Sequence, residues 1–482
     1  MKRNRKAKIL ATLGPSSSSP KIIDELFNAG CDVFRLNFSH GTIEDHRKNY
    51  ENIRNLEKQY NHTTCILADL QGPKLRIGNF NNKKIEVKKG QEFILDLNSA
   101  PGDQKRVNFP HKEIYDILTP NSEILIDDGK IRLQIIKQEN DNLVTEVLND
   151  GILSDNKGIN IPGIILPISS LTSKDKSDLT KALDMGVDWV ALSFVQTHKD
   201  IEELRKLVGN KASIMAKIEK PSAVKNLDQI INASDGLMIA RGDLGVELPT
   251  EQVPVIQKNI INRCREYGKP VVVATQMLES MVVNNVPTRA EASDVANAIY
   301  DGTDAVMLSA ESAIGSFPIE SVTIMNKIIQ SVENDNNNFN LEELHKNNGI
   351  VEKSNSTIDA ITSAAYTIAK NAGAKAIVTF SVSGKTTMRM AKERAPVLII
   401  GLSPNINTAR KVQITWGVYS IHSEQDARSA TEMVSIACLA IKNKKLANNG
   451  DSIVITAGVP FGNAGSTNLL RIAKIIDNNE LT

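Results

Sequence analysis

The chain has 482 residues, of which 41% are hydrophobic and 23% charged, with a formal net charge of +1. That length is too great for one simple core and suggests about three domains of roughly 150 residues each. Near-neutral charge excludes a global attraction to nucleic acid or to an anionic membrane, so any anion site must be local. The basic stretch 1–10 precedes too few apolar residues for a signal peptide, and no run is long enough to span a membrane. Cysteines 31, 65, 264 and 438 lack CxxC spacing and read as reduced, structural thiols, which with the preceding points predicts a cytoplasmic location.

From Lys6 onward short apolar runs alternate with longer amphipathic stretches, the pattern of βα units around a parallel sheet. A strand is expected over 7–13, a helix over 20–29 closed by Gly30, and a second strand over 32–40. In that strand Arg35, Asn37 and Ser39 share one face, while Phe34, Leu36 and Phe38 share the apolar one. A helix over 43–59 leads to a third strand, 64–69, which ends on Asp69.

The pattern then changes. Between 72 and 167 long helices give way to alternating segments punctuated by Asp-Gly and Pro-Gly turns, the mark of a small all-β insertion. Because it leaves after Asp69 and returns before another βα series, it is expected to cover the same mouth as a lid. The rhythm resumes with a helix near 174–185 and strands near 188–195, 212–218, 237–240, 271–275 and 305–308. About eight βα units result, the number that closes a TIM barrel. After a helix at 321–333, the polar run 334–340 reads as a linker. A last domain, 341–482, has strands expected near 376–379, 397–401, 417–421 and 452–456, an open α/β sheet. The expected division is a barrel domain of 1–71 and 168–340, a lid of 72–167 and a C-terminal domain of 341–482.

The stretch Gly236 to Glu247 reads as a buried strand that stops on an Arg-Gly-Asp turn and delivers Asp243 at the strand's C-terminal mouth. Glycines 242 and 245 allow close backbone approach to a ligand. Upstream, Lys217 and Glu219 are two residues apart and share a strand face. Two carboxylates and a lysine in one place suit a divalent cation and a phosphoryl group. Each residue taken singly has a plainer reading: Lys217 with Glu219 as an ion pair, Arg35 as a rim salt bridge, Thr275 as the N-cap of the following segment. His40 reads as a turn-shaping residue, and no histidine pair has metal-ligand spacing.

The runs Arg35-Leu-Asn-Phe-Ser-His40, Lys217-Ile-Glu219, Arg241-Gly-Asp-Leu-Gly245 and Thr275-Gln-Met-Leu-Glu279, in this order, make the chain resemble the pyruvate kinases over nearly its whole length. The resemblance implies phosphoryl transfer from phosphoenolpyruvate to ADP, giving pyruvate and ATP. It implies Glu219 and Asp243 as ligands of Mg²⁺ or Mn²⁺, Lys217 at the phosphoryl in flight, and Arg35 at a phosphate. Gly242 joins the substrate contacts, and Thr275 positions a proton relay to the enolate. Asn37, His40, Arg76 and Lys174 match nucleotide-contacting positions. Asn37, Ser39, Asp69 and Leu70 correspond to the monovalent-cation region. Many members carry Glu where this chain has Lys74, and members with Lys resemble the K⁺-independent branch, so K⁺ is expected not to be required. Leu70 also stands where a hydroxyl would help ligate the ion.

Phe380-Ser-Val-Ser-Gly-Lys-Thr-Thr387 follows a strand and opens a helix, so Ser381, Ser383, Gly384, Lys385 and Thr386 are a candidate phosphate loop, with a structural helix cap as the equal alternative. The family uses this loop for sugar-phosphate effectors; a nucleotide effector is the other candidate. The segment before Asn463 to Ser466 adds no strong anion signature. A homotetramer follows from the resemblance alone. The competing functions are a metal-dependent aldolase or lyase acting on pyruvate, and a catalytically silent sugar-phosphate sensor.

Overall fold

The structure, a computed structural model, describes residues 3–335, 339–346, 356–460 and 467–475. Strands β1 (Lys8–Leu13), β2 (Val33–Asn37) and β3 (Cys65–Asp69) open the barrel. The insertion contributes β4 (Lys84–Val87), β5 (Glu92–Asp96), β6 (Arg106–Asn108), β7 (Glu123–Ile126), β8 (Ile131–Glu139), β9 (Asn142–Val147), β10 (Gly151–Ser154) and β11 (Ile159–Asn160). The barrel resumes with β12 (Trp189–Leu192), β13 (Ser213–Ile218), β14 (Gly236–Ala240), β15 (Val271–Ala274) and β16 (Ala305–Leu308). Eight parallel strands close in the order β1-β16-β15-β14-β13-β12-β3-β2.

Alternation along each strand builds two apolar layers. Leu10, Val33, Leu67, Trp189, Met215 and Met238 belong to one buried cluster, the filled barrel interior. Their neighbours Ile9, Phe34, Ile66, Val190 and Ile214 belong to another, shared with the surrounding helices. The split at 34 and 36 follows the face assignment made from alternation, with Phe34, Leu36 and Phe38 in the helix-facing core.

The insertion pairs β11-β7-β8-β9-β5-β6 in one sheet and β10-β4 in another around its own core. It is not purely β, because a short helix, Lys112–Tyr115, interrupts it. In the last domain β17 (Ala376–Phe380), β18 (Leu398–Ser403), β19 (Val418–His422) and β20 (Ser452–Gly458) run parallel in the order β19-β18-β17-β20, and β21 (Thr467–Lys474) adds an antiparallel edge missing from the sequence reading. Of the 334–340 run, residues 336–338 lie outside the described residues; Phe339 is buried in the barrel's outer core, so this part packs instead of merely linking.

The C-terminal domain is welded to the N-terminal end of the barrel. Ile414 joins the barrel-interior cluster, and Trp189 Nε1 donates to Lys411 O at 2.9 Å. Lys8 Nζ donates to Val418 O at 2.6 Å, and Arg394 pairs with Asp304 at 3.2 Å. The opposite end of the barrel, where β3 leaves for the insertion, is left for the site.

Candidate active site

At the C-terminal ends of the barrel strands the polar residues converge. Arg35 on β2 reaches the last residue of β3, its Nε donating to Asp69 Oδ2 at 2.7 Å and its second nitrogen to Thr12 Oγ1 at 2.9 Å. Lys217, inward on β13, lies 2.9 Å from Glu219 and 3.3 Å from Asp69 and donates to Ser193 Oγ at 2.8 Å. Ser193 Oγ in turn donates to Leu70 O at 2.7 Å. The plain reading of these residues as ion pairs and the chemical one coexist: the charges are paired, and they are paired at the mouth.

The charges tune one another. Burial opposes the Lys217 ammonium, but Asp69 and Glu219 overcome it and hold the lysine charged well above its ordinary range. Burial likewise opposes ionised Asp69, and Lys217 and Arg35 overcome that, so its pKa falls. Asp243 goes the other way: burial and then the Glu219 charge push it up to about 6, with Lys217 and Lys74 opposing. Three cations, Arg35, Lys217 and Lys74, thus face three carboxylates, and the mutual repulsion of Glu219 and Asp243 that remains is what a divalent ion would relieve.

Among the described residues no group of three or more His, Cys, Asp or Glu side chains has metal-binding geometry. A site of two carboxylates completed by substrate oxygens and water fits Mg²⁺ or Mn²⁺, which rarely take an all-protein cage. The raised Asp243 beside Glu219 is the observation that matches such an ion.

Several turns differ from the sequence reading. Arg241-Gly-Asp243 is not a turn but the first residues of a helix, Arg241–Glu247, that follows β14 directly. Asp243 therefore sits in a helical first turn, where the unpaired amides favour an anion. The second strand ends at Asn37, short of 40, because Asn37 Oδ1 accepts from the Ser39 amide at 3.1 Å and turns the chain. Ser39 consequently lies past the strand, and His40 is exposed on the turn, its carbonyl 3.0 Å from His46 Nε2. The strand expected over 188–195 ends at Leu192, with Phe194 at φ 57.

Thr275 follows β15 instead of ending it, and with Gln276 has φ of 67 and 54. Consecutive left-handed non-glycine residues cost on the order of 1–3 kcal/mol each and persist only where the surroundings impose them. Thr275 Oγ1 accepts from the Gly242 amide at 2.8 Å and donates to Ala274 O at 2.6 Å. It caps the helix from the neighbouring strand end, not the segment after itself. Contacts between elements distant in sequence hid this role.

Ser193 and Phe194 were missed as well. The Phe194 amide donates to Glu219 Oε2 at 2.7 Å, and the left-handed backbone at Phe194 aims it there. Their place just beyond a barrel strand was the available signal. Glu311, fully buried with its carboxyl raised by burial, accepts from the amides of Leu278 and Ser309 at 3.1 and 2.7 Å.

The insertion leans on this mouth. Asn160 Nδ2 donates to Glu247 at 3.1 Å, and a Cβ on Gly129 would meet Val246 at 4.0 Å, so the 127–130 turn faces the Arg241–Glu247 helix. At the hinge a cavity of about 540 Å³ is lined by Lys74, His111, Thr172 and Lys174. Lys174 Nζ donates to Phe38 O at 2.7 Å and pairs with Asp178 at 2.6 Å. Arg76 is exposed and donates to Asn156 O at 2.7 Å, outside that cavity. Leu70 is buried, and Lys74 acts on Asp243.

A family model described as pyruvate kinase, barrel domain, matches residues 4–322, and another described as pyruvate kinase, alpha/beta domain, matches residues 359–473. The chain belongs to the pyruvate kinase family. A pyruvate kinase of Agrobacterium vitis is 46% identical over 100% of this chain and 99% of the relative. One of Methylorubrum extorquens is 46% identical over 98% of each chain, and one of Geobacillus stearothermophilus is 42% identical over 98% of this chain and 81% of the relative. A solved pyruvate kinase structure from Cryptosporidium parvum superposes with a TM-score of 0.92 at 34% identity, covering 98% of this chain and 97% of that one. As a pyruvate kinase family phosphotransferase, the chain moves the phosphoryl group of phosphoenolpyruvate to ADP, giving pyruvate and ATP. Pyruvate kinases work with a divalent metal ion. Among the described residues no helix is long and apolar enough to cross a membrane.

The candidate effector loop lies far from this mouth. Ser381 Oγ accepts from the Gly384 amide at 2.9 Å, and Thr386 Oγ1 lies 2.6 Å from Thr467 Oγ1. Ser383 is half-buried and Lys385 exposed, and the helix that Lys385 opens, Lys385–Lys392, has no side-chain cap bond. The stretch 463–466 lies outside the described residues.

Proposed function

We propose that Lys217, Glu219, Asp243, Arg35 and Thr275 carry the transfer, and the observation behind this is Lys217 Nζ held 2.9 Å from Glu219 and 3.3 Å from Asp69 at the strand ends. Glu219 and Asp243 hold the divalent ion, Mg²⁺ or Mn²⁺, which when bound neutralises phosphoryl and carboxylate oxygens of the substrate. Lys217, charged at every working pH, offsets the negative charge on the phosphoryl group as it leaves the enolate oxygen for ADP. Arg35 exchanges part of its contact with Asp69 for a phosphate oxygen. The Gly242 backbone lines the substrate edge. Thr275 orders the water chain that delivers a proton to the enolate carbon, since its own hydroxyl is too weak an acid to act alone.

ADP binds at the hinge, reaching from the cavity that Lys174 lines towards Arg76, Asn37 and His40, which lie outside that cavity. Lys74, whose charge reaches Asp243, supplies the fixed positive charge that K⁺ brings elsewhere, in the region of Asn37, Ser39, Asp69 and Leu70. The loop Ser381, Ser383, Gly384, Lys385 and Thr386 takes the phosphate of a sugar-phosphate or nucleotide effector. The three domains divide as 1–71 with 168–340, 72–167 and 341–482, and the enzyme works as a cytoplasmic homotetramer.

The test is pyruvate formation from phosphoenolpyruvate, ADP and Mg²⁺ with and without K⁺, in the wild type and Lys217→Met. Turnover without K⁺ that collapses in the variant is expected. A severalfold rise on adding K⁺ at constant ionic strength would overturn the Lys74 assignment, and undiminished turnover by Lys217→Met would overturn that of Lys217.

A further inference from the structure

Arg241 crosses from its helix to the turn after β15. One guanidinium nitrogen donates to the carbonyls of Thr275 and Gln276 at 2.9 and 3.2 Å and touches Met277 Sδ at 2.9 Å. The other donates to Asp294 Oδ1, on the helix Arg289–Tyr300, at 2.6 Å. The side chain of Arg241 is 10% exposed and that of Asp294 36%, so the carboxylate anchors the guanidinium from the solvent side. The two carbonyls it holds belong to residues with φ of 67 and 54, which a β-branched threonine rarely adopts unaided.

The next residue completes the grip. The Gly242 amide takes one lone pair of Thr275 Oγ1 at 2.8 Å, and a Cβ at 242 would come within 3.4 Å of that oxygen. A hydroxyl has one proton and two lone pairs. One lone pair remains, and the proton, which Oγ1 donates to Ala274 O, can be turned outward by rotation about the Cβ–Oγ1 bond. Arg241 therefore fixes the backbone of Thr275 and Gly242 fixes its hydroxyl, while Asp243 beside them feels the charge of Glu219.

We propose that Arg241, anchored by Asp294, is the positioning residue for Thr275 and governs protonation of the enolate separately from phosphoryl transfer. The inference rests on the assignment of Thr275 made above. In that step the C2–C3 π pair takes a proton to form a C3–H bond, an O–H bond of the ordered water breaks, and the enolate oxygen becomes the ketone of pyruvate. The water recovers its proton from solvent, and nothing is oxidised or reduced. A guanidinium spanning two carbonyls and a carboxylate has a fixed fork that a lysine ammonium does not reproduce.

By microscopic reversibility the same groups exchange the methyl protons of pyruvate with D₂O, which NMR follows with Mg²⁺ and ATP present. Arg241→Lys and Asp294→Asn are expected to slow this exchange by about tenfold to hundredfold, as misplacement of a positioned group does. The KM for phosphoenolpyruvate and the Mg²⁺ affinity should stay within about twofold, a split that marks loss of an interaction peculiar to one step. Asp294→Glu should restore most of the exchange. Exchange and Mg²⁺ affinity falling together in both variants would overturn the proposal, since Arg241 would then be a general brace of its helix. Unchanged exchange in both, with exchange abolished in Thr275→Ala, would overturn it and leave Thr275 in place. Unchanged exchange in Thr275→Ala would remove both.

Discussion

Lys217 carries its positive charge among groups that each cost free energy when left alone. Lys217→Met strips Asp69 and Glu219 of a shared counter-charge, which for a buried pair costs roughly 3–5 kcal/mol. On the role proposed for Lys217, the same change also removes transition-state stabilisation worth about a hundredfold to a thousandfold in kcat. The expectation is both a lower denaturant midpoint and a collapse of turnover, measured on one preparation. Such pairing was half legible beforehand: the two-residue spacing of Lys217 and Glu219 placed them on one face, but Ser193 and the Phe194 amide had no pattern of their own. Their hydrogen bonds depend on a left-handed residue after β12, and no local rule favours a phenylalanine there.

The elements around the site meet at a hinge. Gly72 has φ 74, its amide donates to the buried Asp175 at 3.2 Å, and a Cβ there would lie 2.6 Å from the Phe194 ring. Gly72→Ala therefore moves either the hinge or Phe194, whose amide holds Glu219. We expect a loss of about 1–3 kcal/mol of stability from overpacking. The KM for ADP should rise, because the cavity proposed for the nucleotide shares this hinge; steady-state kinetics against thermal melts separates the two effects. Element existence was readable from periodicity, whereas ends were not. Strand 2 stops at Asn37 because its own side chain turns the chain, and strand 15 stops before Thr275 because a neighbouring helix claims the hydroxyl.

Across the whole molecule, the interface between barrel and C-terminal domain is held by buried charge. Asp304 pairs with Arg394 at 3.2 Å and accepts from the Trp416 and Val271 amides, both at 3.1 Å. Asp304→Asn leaves Arg394 buried without its carboxylate, and a loss of roughly 3–5 kcal/mol is expected as a lower melting temperature. His62, packed between Phe27 and Tyr419, adds a pH term: burial, helped by nearby cations, lowers its pKa from 6.5 to about 3. Between those values the unfolded chain binds a proton that the folded chain refuses, so stability falls as pH drops from 6.5 towards 3. His62→Gln should flatten that slope, as denaturant midpoints of both proteins at a series of pH values will show; equal slopes would refute it.

The amino-acid sequence by itself determined the barrel, the inserted β domain and the open C-terminal sheet. Each follows from a local period, two residues for strands and about 3.6 for helices, and from the punctuation between them. It also placed Arg35, Asp69, Lys217 and Asp243 at or near strand ends, because in a closed parallel barrel those ends share one mouth. Only the tertiary structure decided which of them touch. The helical start at Arg241, the left-handed turn at Thr275 and the bracing by Asp294 arise between residues tens of positions apart. Their conformations are chosen by hydrogen bonds that exist only once the barrel has closed.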